Sequence, residues 1–171
     1  ESYWMKQSAR GEDELEALLD RVEARLQPEN FRAFMLPENW DEENARLREL
    51  GVKPRLYRSQ RGPVTFAMSV FGAEELIYLI YDEPELAARF RNLIRDAILA
   101  MARLFDEEAG HTPETAPPGF FFLDDNCCLL NAELYEFFGY RILKDVFAAR
   151  SPRAEDFRGQ HSDSDMAHLL P

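Results

Sequence analysis

The run Gly119-Phe-Phe-Phe-Leu123 constrains this fold more than any other stretch. Pro117-Pro118 stand before it and Asp124-Asp125-Asn126 after it, so the apolar residues are boxed between turn-formers. A short run that is apolar at every position has no solvent face. That reads as a buried strand of a parallel sheet. Parallel strands need crossover connections of a dozen or more residues, usually helical.

The rest of the chain supplies such helices. From Glu12 to Leu26, the residues Leu15, Leu18, Leu19, Val22 and Leu26 fall on one helical face. Pro28 then reads as a stop. A second helix is expected from Pro37-Glu-Asn-Trp-Asp-Glu-Glu, with its acids at the positive end and Gly51 as its terminator. Val64–Phe71 and Glu74–Tyr81 read as two further helices. Glu85–Glu108 is the strongest, with Leu86, Phe90, Leu93, Ile94, Ala97, Met101 and Leu104 in a 3.6-residue period. Its Leu86/Phe90/Ile94/Met101 side is expected on the sheet. Helices return at Ala132–Phe138 and Ile142–Ala149, and a last one is expected from Met166 to Leu170. Two weaker strands are expected, at Lys53–Ser59 and at Phe157–His161. Strands alternating with longer helices make βα units and a parallel sheet.

Composition narrows the function. The 171 residues make room for one domain, and 46% hydrophobic with 30% charged residues is a globular profile. No stretch approaches the ~20 apolar residues of a membrane span. No basic, apolar leader opens the chain, and cytosol is the expected compartment. The net charge of −12 repels nucleic acid and anionic membranes, so any anionic ligand must be held by particular arginines or lysines. The two cysteines, Cys127 and Cys128, are adjacent and close no useful loop; buried apolar packing suits them better than a disulfide or a metal. No P-loop, dinucleotide fingerprint, HExxH or GxSxG is present.

Three clusters follow expected strands, where ligands of α/β proteins sit. Arg58 and Arg61, before Gly62-Pro63, have the fork geometry to clamp carboxylates; they serve equally well as surface partners of the excess acids. Asp124, Asp125 and Asn126 are placed to bind a metal, accept protons or hold a pyrrole N–H. Adjacent side chains diverge, so one aspartate faces the ligand while another caps a helix. His161 and Asp163 alternate on one side of an extended segment, a start on a transition-metal site. The competing reading makes Asp163 or Ser164 a helix cap and His161 a packing residue. If the cleft is real, His161, Asp163 and one of Asp124/Asp125 share it.

The ordered set of Gly62-Pro63, Phe71-Gly-Ala-Glu-Glu-Leu76, Tyr81-Asp-Glu-Pro-Glu-Leu86, Phe121-Phe-Leu-Asp-Asp125 and Gln160-His-Ser-Asp-Ser-Asp165 resembles the uroporphyrinogen decarboxylase-like superfamily over about residues 12 to 171. The resemblance implies a (β/α)8 barrel. A closed barrel takes roughly 250 residues, so residues 1–171 are expected to be a single domain of that kind without its N- and C-terminal parts. The superfamily has two branches. Decarboxylases remove a carboxylate from a tetrapyrrole without a cofactor, and Asp124 matches their cleft aspartate. Corrinoid-linked methyltransferases use zinc, held by His-x-Cys and a later Cys; here His161 matches while Asp163 stands at the Cys position. The arginine-rich N-terminal motif of the decarboxylases finds only a faint counterpart in Tyr3–Arg10, too close to Gly62-Pro63. The expected function is therefore a tetrapyrrole or related decarboxylase. The alternatives are a zinc-dependent methyltransferase partnered by a corrinoid protein, and a non-catalytic fragment or interaction module. The resemblance is compatible with a homodimer.

Overall fold

The computed structural model describes residues 6–169. Tyr3–Met5 of the faint N-terminal motif and Leu170 of the last expected helix lie outside that span. The protein is an α/β structure, mostly helical, with one small parallel sheet. The order is α1 (Glu12–Leu26), α2 (Pro28–Met35), α3 (Trp40–Glu49), β1 (Ser59–Arg61), α4 (Pro63–Phe71), α5 (Ala73–Asp82), α6 (Pro84–Glu108), β2 (Phe120–Leu123), α7 (Ala132–Tyr135), α8 (Arg141–Arg150) and β3 (Arg158–His161). A 3-10 turn, Asp125–Leu129, follows β2; a π turn, Glu136–Tyr140, joins α7 to α8; and a 3-10 turn, Ala167–Leu169, follows β3. Among the described residues no single helix is long and apolar enough to cross a membrane; α4 and α5 together reach that length but bend by 100°.

The strands pair in chain order, β1-β2-β3, all parallel. Phe121 pairs with Ser59 on one side and Gly159 on the other; Leu123 pairs with Arg61 and His161. Right-handed crossovers taken twice in the same direction put both helical layers on one face, and the side chains agree. Phe120 and Phe122 are fully buried toward the helices, where Phe122 meets Phe147 of α8 edge-on and Phe120 meets Tyr57. On the other face Leu123 and His161 are exposed, and Phe121 is half-buried, stacked on the exposed Phe157. The run Phe120–Leu123 is thus covered on one side only, not both.

Helix α6 buries Phe90, Leu93, Ile94 and Ile98 and packs mainly on α1, α5 and α8 rather than on the sheet, while Met101 of the expected face lies in the cluster with Phe31 and Leu36. Pro28 does not end the helical region. It opens α2 at the first turn, where its missing N–H costs nothing. Helices α2 and α3 then pack on the far end of α6 through Glu108. Its carboxylate accepts from Arg32 Nε at 2.8 Å and Trp40 Nε1 at 2.7 Å, and its carbonyl from Asn44 Nδ2 and Arg48 Nη2. Burial works to raise the Glu108 carboxyl, but the Arg32 and Trp40 hydrogen bonds outweigh it and hold it below its usual range. A depressed acid contributes stability above its unfolded pKa, and that contribution is lost as pH falls through the folded value. The Glu108→Gln protein should be about 1 kcal/mol less stable near pH 7, allowing for solvent screening, and equal to wild type in acid. Urea unfolding at both pH values checks this; a gap that persists in acid would show that packing, not charge, sets the difference.

Candidate functional site at the strand ends

The strands end at Arg61, Leu123 and His161, which form one row on the open face of the sheet. With strands ~4.8 Å apart, Arg61 and His161 stand about 10 Å apart across it. The loops that follow carry Asp124, Asp125, Asn126 and Asp163.

Asp124 turns inward and is fully buried. It accepts from the Thr65 N–H at 2.8 Å and from the Val64 N–H at 3.5 Å, so its carboxylate closes the N-terminus of α4. The sequence reading allowed an aspartate here to cap the following helix. The helix it closes is instead the earlier one, on the neighbouring βα unit. An acidic group suits that end because the first-turn N–H groups have no intrahelical partners and the helix dipole is positive there. Its own backbone is fixed as well, the N–H donating to His161 O at 2.8 Å. Burial pushes the carboxyl above its usual range, opposed by the hydrogen bonds from Thr65 and Val64.

Asp125 points the other way. Its Oδ1 accepts from the Asp163 N–H at 2.8 Å, which joins the loop after β2 to the loop after β3. The two adjacent aspartates diverge, as their spacing in an extended segment requires. Each ties β2's end to a different neighbour. Asn126 takes part through its backbone, donating its N–H to Thr65 Oγ1 at 2.9 Å.

The imidazole of His161 is half exposed and lies 2.9 Å from Asp163 Oδ1. A carboxylate only accepts, so the hydrogen between them sits on Nε2. His161, Asp163 and Asp125 therefore share one corner of the strand ends, while Asp124 lies beneath it. Arg61 reaches along α4 to Ser69 Oγ at 3.1 Å, and among the described residues it has no carboxylate partner.

Arg58 does not join this group. It precedes β1 and lies at the N-terminal end of the sheet, where Nη2 meets Asp106 at 2.5 Å, Nη1 meets Tyr57 O and Nε meets Pro117 O. These three bonds turn the guanidinium toward Asp106 and Pro117, away from the C-terminal strand ends. Cys127 is buried, its thiol donating to Asp124 O at 2.8 Å and pushed up to about 11 by burial, so it remains a thiol at neutral pH.

Zinc needs three or four donors in a tetrahedral set. Asp125 stands beside His161 and Asp163 but its Oδ1 is held by the Asp163 N–H, and no group of three or more His, Cys, Asp or Glu among the described residues is placed to hold a metal. These donors by themselves do not fit zinc.

Thr65 was not foreseen from the sequence, and Gly62 was read there only as a turn-former. Thr65 gives both an N–H to Asp124 and a hydroxyl oxygen to Asn126; its only signal was a polar residue in the first turn of an apolar helix. Gly62 lies against Asp124 so closely that a Cβ there would sit 2.5 Å from the Asp124 Cα. Set against known protein families, curated proteins and solved structures, the chain matches none of them.

Proposed function

We propose that the chain is a section of a (β/α)8 barrel of the uroporphyrinogen decarboxylase-like kind, and that it acts on a carboxylate-bearing tetrapyrrole or related substrate at the C-terminal strand ends. One observation carries the reading: the sheet winds in a single direction, with helices on one face and Arg61, Leu123 and His161 in a row on the other. In a barrel that second face is the inside, and ligands bind where its strands end. A doubly wound sheet would instead reverse its strand order.

The roles follow from chemistry. Arg61 binds a non-reacting carboxylate of the substrate through paired N–H donors. A carboxylate to be lost should lie away from that charge, over Leu123 and Phe121, because an apolar surrounding favours the dispersal of charge that accompanies loss of CO2. His161, hydrogen-bonded to Asp163, delivers the proton to the carbon left behind. Asp125, on the rim, is the carboxylate placed to hold a pyrrole N–H. This assigns to Asp125 the part that the family resemblance gives to Asp124.

Titration of the purified protein with uroporphyrin, followed by its fluorescence, tests the carboxylate clamp. Saturable binding is expected, and Arg61→Ala should weaken it by roughly 1.5–3 kcal/mol, or about tenfold or more. Release of CO2 from the reduced porphyrinogen tests the chemistry separately. Binding that is absent, or unchanged in the Arg61→Ala protein, would remove the clamp from the proposal.

A further inference from the structure

At the opposite end of the sheet, Asp106 of α6 is buried and pairs with two arginines at once. Arg58 Nη2 lies 2.5 Å from Oδ1, and Arg150 Nη2 lies 2.6 Å from Oδ2. One carboxylate between two guanidiniums leaves an excess positive charge, in a chain whose net charge is −12. Both arginines are largely buried, with 19% and 15% of their side chains exposed. Charge at that depth is costly without a partner.

The two arginines are not equivalent. Arg58 has a partner for each of its three nitrogens. Arg150 has Asp106 on Nη2, while its Nε is buried with no partner among the described residues. An unmet buried donor on a charged group is expensive, and native structures rarely keep one. Arg150 also forms part of the wall of a cavity of about 480 Å³. Arg103 and His111 also line it, with Glu107 as a further acid and Leu99 and Pro113 as apolar lining.

We infer that this cavity is a binding site for a small anion carrying a phosphate or carboxylate group, held by Arg150 and Arg103. An oxyanion there would neutralise the excess charge of the Arg58–Asp106–Arg150 cluster and accept from the Arg150 guanidinium where it lines the cavity. Its partners lie at the N-terminal end of the strands, so the site is separate from the proposed one and does not depend on it.

The test uses the full chain with inorganic phosphate and with succinate as probes, each at constant ionic strength against chloride. Melting temperature and calorimetric titration are the readouts. Saturable stabilisation by phosphate or succinate beyond chloride is expected, and the stronger of the two names the ligand group. Arg103→Gln should weaken binding at least threefold, and Glu107→Gln should tighten it by a similar factor. Both are exposed positions, so neither variant depends on the buried cluster for folding. Arg150→Gln should abolish the response; if that protein does not fold, the two surface variants decide. No stabilisation beyond chloride, or the same affinity in wild type, Arg103→Gln and Glu107→Gln, would overturn the site.

Discussion

The Gly62→Ala protein is expected to lose about 3 kcal/mol of stability or more, at the upper end of overpacking costs. The reason is space and not backbone conformation, since φ −56 and ψ 149 at Gly62 are open to any residue. A Cβ there would fall inside the Asp124 side chain and 2.5 Å from its Cα. A side chain could swing aside, but a Cα cannot. The two segments are laced together by Gly62 N–H to Leu123 O at 2.7 Å and Asp124 N–H to His161 O at 2.8 Å. Separating them would pull β1 from β2 at their ends. Urea unfolding should show a much lower midpoint at an unchanged slope. A wild-type midpoint would mean that the strand ends are not in contact as described.

Asp124→Ala is expected to cost about 3 kcal/mol, from a lost helix cap and from buried N–H groups left without an acceptor. Asp124→Asn keeps one oxygen toward Thr65 and should cost clearly less. The pair also carries a pH signature. Burial raises the folded-state carboxyl above its ordinary 3.8. The folded protein then holds this proton more tightly than the unfolded chain does. Stability from this group is fully present below the unfolded pKa, declines as pH rises through the folded value, and is level above it. The advantage of wild type over Asp124→Asn should therefore shrink with rising pH across that window. An advantage that grows with pH would mean that the N–H groups of α4 outweigh burial, and the sign would be reversed.

The helices were legible in the sequence where apolar residues kept a period. Helix α1 runs over Glu12–Leu26 as its leucines imply, and α6 runs from Pro84, a proline at the tolerated first position, to Glu108. Helix α2 was hidden because Pro28 is both a stop signal and a good first residue, and local sequence does not choose between them. The first strand was expected at Lys53–Ser59 but forms at Ser59–Arg61. Strand pairing there is set by register with Phe121–Leu123, a long-range partner that no local pattern reveals. The site was legible as a list of polar residues after strands. Its division was not: which aspartate turned inward depended on where α4 starts, and Arg58 fell at the other end once β1 moved toward the C-terminus.

The divergence of Asp124 and Asp125 separates two duties that sit on neighbouring codons. Asp124 holds α4 against β2 from within, so nearly any change there is a change in folding. Asp125 spends one oxygen on the loop after β3 and stands at the rim, so a change there alters mainly what the rim offers a ligand. Position 125 can therefore vary while position 124 stays fixed, so the rim of the strand ends can be remade without first loosening the fold.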